Sequence, residues 1–435
     1  MNRSTTLNRL ESATLPGDLS PLARGNKWCV IVFALAAIAF AMPVAENCRL
    51  APKYSAAEDF KSYYAFSYVL RHTPGKIYEP KEILSTVHSL FPESNTPLAF
   101  PPPIQVLPTT LPLVVPFSLW PSDSVVAFWS VLTALAAAAA TFLLARQYKF
   151  SVLGTSFLML AAALSGPYHS LIRLGEPGPL GVLCLAGIFF CLKNKRPYAA
   201  AVLLAALTLK PHWILPLSAF LFGARRYKTI GLFVAICAGI AVLSLVLFGT
   251  QTWSDYIPLS KLLTDNPWMF GIQQAVSASA QIYRFFPQIP YRQIAIVGGG
   301  IYALSLLALV WLGNRVRNQE EWLELGILSV FPIGIACSFY YTPYDMFLLL
   351  PTVAVLFSNG NWRRISTADK WIVGVSLAML MNPLYHLLIG KVVTEHKAVI
   401  NPFYVGTWCI AVALAKIVLR RRMTEKNSDT LAQCN

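Results

Sequence analysis

Apolar runs recur through this chain from one end to the other, and many are long enough to cross a bilayer. They fall at about 27–46, 123–145, 151–168, 177–192, 197–209, 212–223, 229–248, 293–313, 322–339, 344–358, 370–389 and 402–419. A hydrocarbon core about 30 Å thick takes roughly 20 apolar residues in a helix. Only 13% of the 435 residues are charged, against about 25% in an ordinary soluble domain. A transmembrane β-barrel would show short alternating segments, whereas these runs are continuous. The expected fold class is an all-α, polytopic integral membrane protein. No polar stretch is long enough to build a second, soluble domain. Residues 27–422 therefore read as one transmembrane domain, with disordered cytoplasmic ends at 1–26 and 423–435.

The formal net charge of +15 sits largely in short loops: "KNKR", "ARRYK", "RVR", "NWRR" and "LRRR". That is the positive-inside pattern. It predicts anionic membrane lipids as partners and argues against nucleic acid. A thirteenth apolar run, 99–121, holds seven prolines and makes a poor uniform helix. Counting it as a crossing would put Arg146, Lys149 and "KNKR" outside. Reading it as bent, re-entrant or interfacial places the basic loops inside and gives about 12 transmembrane helices with both termini cytoplasmic. The outward segments are then a first loop at 47–98, a second at 249–292 and a third at 390–402. The first run follows Arg24 and Lys27, is long for a signal sequence and has no good cleavage site, so it reads as an uncleaved span. Cys184, Cys191, Cys237, Cys337 and Cys409 lie in apolar runs and Cys48 stands alone. Neither a disulfide framework nor a zinc site is indicated.

Just beyond the first span stands "SAAEDFKSYYAFSYVL" (55–70). Phe60, Tyr63, Tyr64 and Leu70 recur at helical spacing, while Lys61, Ser62 and Arg71 point elsewhere. This predicts an amphipathic helix at the membrane surface with its rings at headgroup level. On periodicity alone, Glu58 and Asp59 could be two solvated acids. They could equally supply a carboxylate at the water–lipid boundary, able to take a proton from a hydroxyl.

The ordered set "DFKSYY" (59–64), "PGKIY" (74–78), "AFPPP" (99–103), "RLGEPGPLGVL" (173–183), "ALTLKPHWILPL" (206–217) and "QQAVSASAQIYRFF" (273–286) resembles glycosyltransferase family 87 over roughly residues 28–290. The resemblance implies a GT-C-type helical bundle. It also implies a polyprenyl-phosphate sugar as donor, mannose in many members, and a lipid-linked or cell-envelope glycan as acceptor. In that family an acid in the first outer loop is taken as the catalytic base, and Asp59 holds the matching position. The implied step is a direct, inverting displacement: a hydroxyl attacks the anomeric carbon and the lipid phosphate leaves. Glu58 is the rival acid. Adjacent residues on a helix point about 100° apart, so the two cannot face one pocket equally.

The donor phosphate needs cations, and the candidates are Lys210, Arg173 and Arg284, with His212 near Lys210. Lys210 could instead snorkel to the interface, and His212 could be structural. Candidates for sugar or acceptor contact are Glu58, Tyr63, Tyr64, Glu176, Tyr344 and Asp345. Glu176 departs from the Gln usual in the family, and its charge would oppose a nearby phosphate. Asp345 could instead cap a helix, and Trp268 of "TDNPW" reads more naturally as an interface anchor. There is no DxD motif, and a monophosphate donor can be balanced by Lys and Arg, so no metal and no cofactor is expected. "IVGGGI" near 297 reads as helix packing.

These features predict a membrane hexosyltransferase of the bacterial inner membrane with its site on the extracytoplasmic side. A transporter or a lipid or polysaccharide flippase would also account for basic loops and broken helices. It should show paired halves with mid-membrane charge, and no internal repeat is seen. A catalytically silent membrane scaffold is a third reading.

Overall fold

The computed structural model describes residues 27–50, 57–92, 106–265, 275–338, 341–358, 365–382 and 400–416, together with Ile272, Trp362 and Leu384. "AFPPP", Gln273, Gln274, Trp268 and the two chain ends expected to be disordered lie outside these residues, as does most of the third outer loop.

Among the described residues the chain is helical, without strands. The helices are α1 (Lys27–Leu50), α2 (Glu58–His72), α3 (Pro80–Leu90), α4 (Ser122–Gln147), α5 (Val152–Ala163), α6 (Gly166–Leu174), α7 (Gly178–Lys193) and α8 (Pro197–Ala206). They continue as α9 (Pro211–Gly223), α10 (Tyr227–Asp265), α11 (Ala278–Phe285), α12 (Tyr291–Val316), α13 (Trp322–Cys337), α14 (Leu350–Phe357), α15 (Thr367–Met381) and α16 (Pro402–Lys416). Four are long and apolar enough to cross a membrane: α1, α4, α10 and α12. Others of the expected spans, among them α5, α7, α8 and α13, are shorter apolar helices, so the described residues do not confirm about 12 full-length crossings. Proline explains part of the shortening. Pro211 pushes Lys210 out of helical geometry (φ −129°, ψ 84°) and divides α8 from α9.

The proline-rich run is broken as its sequence requires. Its described part is two 3₁₀ turns, Pro108–Thr110 and Val115–Leu119, flanking one short helical turn, Leu111–Val114. Helix α10 likewise extends past its apolar stretch through a break at Gly249, where φ is 76°. Its lipid-length portion exposes Val242, Val246 and Leu247, so it lies at the edge of the bundle.

The apolar interior falls into a main cluster and two smaller ones. The main cluster joins α1 and α4–α9 to α12–α16. A second unites α2 and α3 with residues 106–129. The expected surface helix at 58–72 is corrected here. Its rings do not form a headgroup belt. Phe60 stacks on Trp129 (4.5 Å between centroids) and Tyr64 meets Phe91 edge-on at 5.6 Å. Of the supposed polar face, Lys61 and Ser62 are buried too, while Arg71 stays exposed. Ser67 donates to the Val115 carbonyl, and the Lys61 ammonium lies 5.4 Å from the Phe91 ring centre. The physical reason is that the broken proline segment supplies a protein surface where the periodicity alone pointed to lipid. The expected packing role of the glycines near 297 holds for Gly298, where a Cβ would strike Ser279 of α11; at Gly299 and Gly300 there is open space.

Candidate active site

The buried charges gather at the seam between the two largest clusters. Helix α6 ends in a Schellman turn. The Gly175 N–H donates to the Ile172 carbonyl (3.1 Å) and the Glu176 N–H to that of Leu171 (2.9 Å). Gly175 takes the left-handed conformation (φ 74°), and a Cβ there would lie 2.6 Å from Cβ of Phe60. Its carbonyl accepts from Nε1 of Trp129 at 2.7 Å. The Ala57 N–H donates to the Arg173 carbonyl at 2.7 Å. The loop "RLGEPG" is therefore clamped to the first turn of α2, which sets Glu176 against Asp59.

Four charged side chains meet there. Lys210 Nζ lies 2.5 Å from Glu176 Oε2 and 4.0 Å from Asp345 Oδ1. Asp59 hydrogen-bonds Glu176. All but Asp59 are buried, and Asp59 is half-buried. The Tyr344 hydroxyl donates to Glu176 Oε1 (2.9 Å) and Trp213 Nε1 donates to Asp345 Oδ1 (3.2 Å). The ammonium of Lys210 also stands about 5 Å from the ring centres of both Trp213 and Tyr344. Asp345 Oδ2 accepts from the N–H and hydroxyl of Thr342 at 2.9 and 2.8 Å, so the expected cap is present beside the ion pair. Tyr63 is half-buried within the field of Glu176, Lys210, Asp59 and Asp345.

Burial holds the Asp59 carboxyl well above the usual carboxylate range. Glu176, by its charge and its hydrogen bond, pushes the same way, and Lys210 opposes them. A carboxyl that keeps its proton can donate to its neighbour, which is how two acids share this space. Burial likewise raises the Tyr63 phenol, with Glu176 next in effect. Among the described residues no group of three His, Cys, Asp or Glu side chains is arranged to hold a metal ion.

The remaining sequence candidates stand elsewhere or at the rim. His212 is half-buried and edge-on to Tyr341, with ring centroids 4.9 Å apart. Its carbonyl accepts from the hydroxyls of Tyr341 and Tyr302. Tyr64 turns away from the charges and donates to the Trp120 carbonyl (2.6 Å). The side chain of Arg173 is exposed, and its backbone makes the clamp to Ala57. Glu58 is half-buried and is the weakest of the influences on Asp59. Arg284 is half-buried on α11, which packs on α12.

Two members of the constellation were not among the sequence candidates, though signals for both exist. Trp213 follows Lys210 by three residues, in the first turn of the helix that Lys210 precedes. Thr342 and Asp345 have the T-x-x-D form of a capping box.

A family model described as glycosyltransferase family 87 matches residues 108–343, more than half of the chain. No curated protein and no solved structure matches it. The matched stretch contains Glu176, Lys210, His212 and Trp213, ends two residues before Asp345, and begins after Asp59. The chain, all-helical among its described residues and with four helices there long and apolar enough to span a membrane, belongs to glycosyltransferase family 87.

Proposed function

We propose that the seam between α2 and the α6–α9 bundle transfers a hexose, mannose in the first instance, from a polyprenyl-phosphate sugar to a lipid-linked or cell-envelope glycan. The observation that carries this reading is the contact of Asp59 with Glu176 and, through it, Lys210. Deprotonated Asp59 accepts the proton of the acceptor hydroxyl. The hydroxyl oxygen bonds to the anomeric carbon from the face opposite the lipid phosphate. The carbon–oxygen bond to phosphate breaks, and its electron pair leaves with the phosphate oxygen. One base suffices, and the configuration inverts.

The high proton affinity of Asp59 supports the role, because a base with a raised pKa takes a proton more effectively at neutral pH. Lys210 is the cation for the departing phosphate. Its contact with Asp345 is the longer of its two and the more easily exchanged for a phosphate oxygen. Asp345 then keeps its three donors from Thr342 and Trp213. Tyr63 and Tyr344 line the approach for sugar or acceptor. The site opens on the extracytoplasmic side of the inner membrane, opposite the basic loops.

Asp59→Asn is isosteric and keeps the helix. In proteoliposomes supplied with a panel of polyprenyl-phosphate sugars and membrane lipids, it should abolish transfer while expression and melting temperature stay near the wild type. Transfer at the wild-type rate by this variant would remove Asp59 from the chemistry. A wild-type protein that moves lipid or glycan across the bilayer without making product would instead favour a flippase.

A further inference from the structure

Helices α7 and α9 carry the candidate site at their N-terminal ends and a second charged cavity at the other. Glu176 precedes α7 and Lys193 closes it, a helix of 16 residues and therefore about 24 Å long. A cavity of about 710 Å³ lies at that far end, between the α7–α8 turn, the α9–α10 turn and the start of α13. Its walls carry six cations and two acids, Glu320 and Glu324. Lys193 pairs with Glu324 at 3.3 Å. Lys195, Arg196, Arg225 and Lys228 have no ion pair among the described residues, so positive charge is in clear excess.

The backbone aims the same way. Helices α8 and α10 both start at this cavity, at Pro197 and Tyr227, and α13 starts there at Trp322. Three helix N-termini thus bring their positive dipole ends to one space. Each of the two turns closes as a Schellman motif. Arg196 N–H donates to the Cys191 carbonyl (2.8 Å) and Arg226 N–H to the Leu221 carbonyl (3.0 Å). The left-handed position in these turns is ordinarily glycine. Here it is Lys195 (φ 56°) in one and Arg225 (φ 58°) in the other. A cation stands at both positions against backbone preference. Arg226 adds a further sign of an anion site. Its guanidinium stacks 4.0 Å from the Trp322 ring centre, and its buried Nε has no hydrogen-bond partner.

We infer that this cavity binds the phosphate of an anionic phospholipid headgroup. The lipid source is favoured by the rim, where Tyr198, Tyr227 and Phe222 are each more than half exposed. Aromatic residues beside cations are the mark of a membrane interface. It is also favoured by α10, which rises from the cavity and exposes an apolar face along its length. The six cations place this side of the protein against the negatively charged leaflet.

The test uses the full chain in a zwitterionic detergent, with melting temperature followed against added phosphatidylglycerol, phosphatidylcholine and sodium phosphate. Phosphatidylglycerol should raise the melting temperature saturably, and phosphatidylcholine should not. In Arg196→Gln/Arg225→Gln/Lys228→Gln, apparent affinity for phosphatidylglycerol should fall about a hundredfold, at roughly fivefold per charge. The single variant Lys228→Gln, at an exposed helix start, guards against a triple variant that fails to fold and should lose about fivefold. Equal stabilisation by both lipids, or unchanged affinity in the folded variants, would overturn the inference. So would stabilisation by inorganic phosphate equal to that by the anionic lipid, which would make the ligand a soluble phosphate.

Discussion

Removing the cation at the seam is the sharpest probe of how the site is balanced. Lys210→Met keeps the length of the side chain and deletes the charge. The side chains of Glu176 and Asp345 are 5% and 1% exposed, so both carboxylates would remain in a region that water hardly reaches. Breaking a buried pair by removing one partner costs about 3–5 kcal/mol. Unfolding entropies near 2.1 cal/mol/K per residue, taken over 435 residues, turn this into a fall of about 3–5 °C in melting temperature. The two acids are not equally dependent on Lys210. Asp345 keeps three donors from Thr342 and Trp213, whereas the hydrogen bond given to Glu176 from its own bundle is that of the Tyr344 hydroxyl. Glu176→Gln should therefore be the compensating change, because its carbonyl oxygen can still accept from Tyr344. The double variant Lys210→Met/Glu176→Gln is expected to recover about 2 °C or more of the loss. The measurement is a detergent melting curve for the wild type, both singles and the double, which isolates the pairwise energy. A Lys210→Met protein that melts within 1 °C of the wild type would refute this reasoning. So would a double variant no more stable than the Lys210 single.

Activity should depend on pH through Asp59. Its raised pKa means that the proton is held above the ordinary carboxylate value of about 4. A general base is silent while protonated, so kcat/KM should fall as pH drops through the folded value and level off above it. Glu176→Gln removes two of the causes that raise it and should carry the acid limb to lower pH; Lys210→Met should carry it to higher pH. A rate profile measured between pH 4 and 9 checks both directions, and limbs that do not move would assign the titration to another group. Gly175→Ala tests the clamp. The left-handed backbone costs a side chain about 1–2 kcal/mol, and overpacking against Phe60 a further 1–3. The melting temperature should fall by about 2–5 °C, with transfer activity reduced because Glu176 is displaced from Asp59. A Gly175→Ala protein with normal melting and normal transfer would show that the loop is not clamped as described.

The sequence made some of this legible and hid the rest for identifiable reasons. Long apolar runs declare helices, and the prolines at 108, 112 and 116 declared the broken segment found there. Lys210 was legible as a cation in an apolar hairpin, a place where charge is costly. The fate of the 58–72 helix was not. Its stripe of rings has the same period whether it faces lipid or protein, and the deciding surface, residues 106–129, lies some 50 residues away. The Asp59–Glu176 contact was hidden for a similar reason. It depends on a left-handed glycine and a backbone bond from Ala57 to Arg173, neither of which has a periodic signature. Arg173 itself looked like a phosphate ligand by composition, yet it contributes a carbonyl while its side chain faces outward.

The placement of Lys210 runs against the helix dipole. Arg146, Arg173, Lys193 and Arg315 each stand in the last turn of a helix, where the negative end of the dipole favours a cation. Lys210 stands at the start of α9, where the dipole disfavours it. It is buried as well, so desolvation adds to the cost. Two buried carboxylates and two aromatic faces offset this, and their positions come from α7, α9 and the 343–349 turn independently. An apolar residue at this position would avoid the dipole and desolvation costs of the cation but would leave the two buried carboxylates without it. Local rules are broken in this way chiefly where a site needs the group itself. Lys210 is the buried cation that local preference does not explain, and Glu176 and Asp345 are the counter-charges that stabilise it.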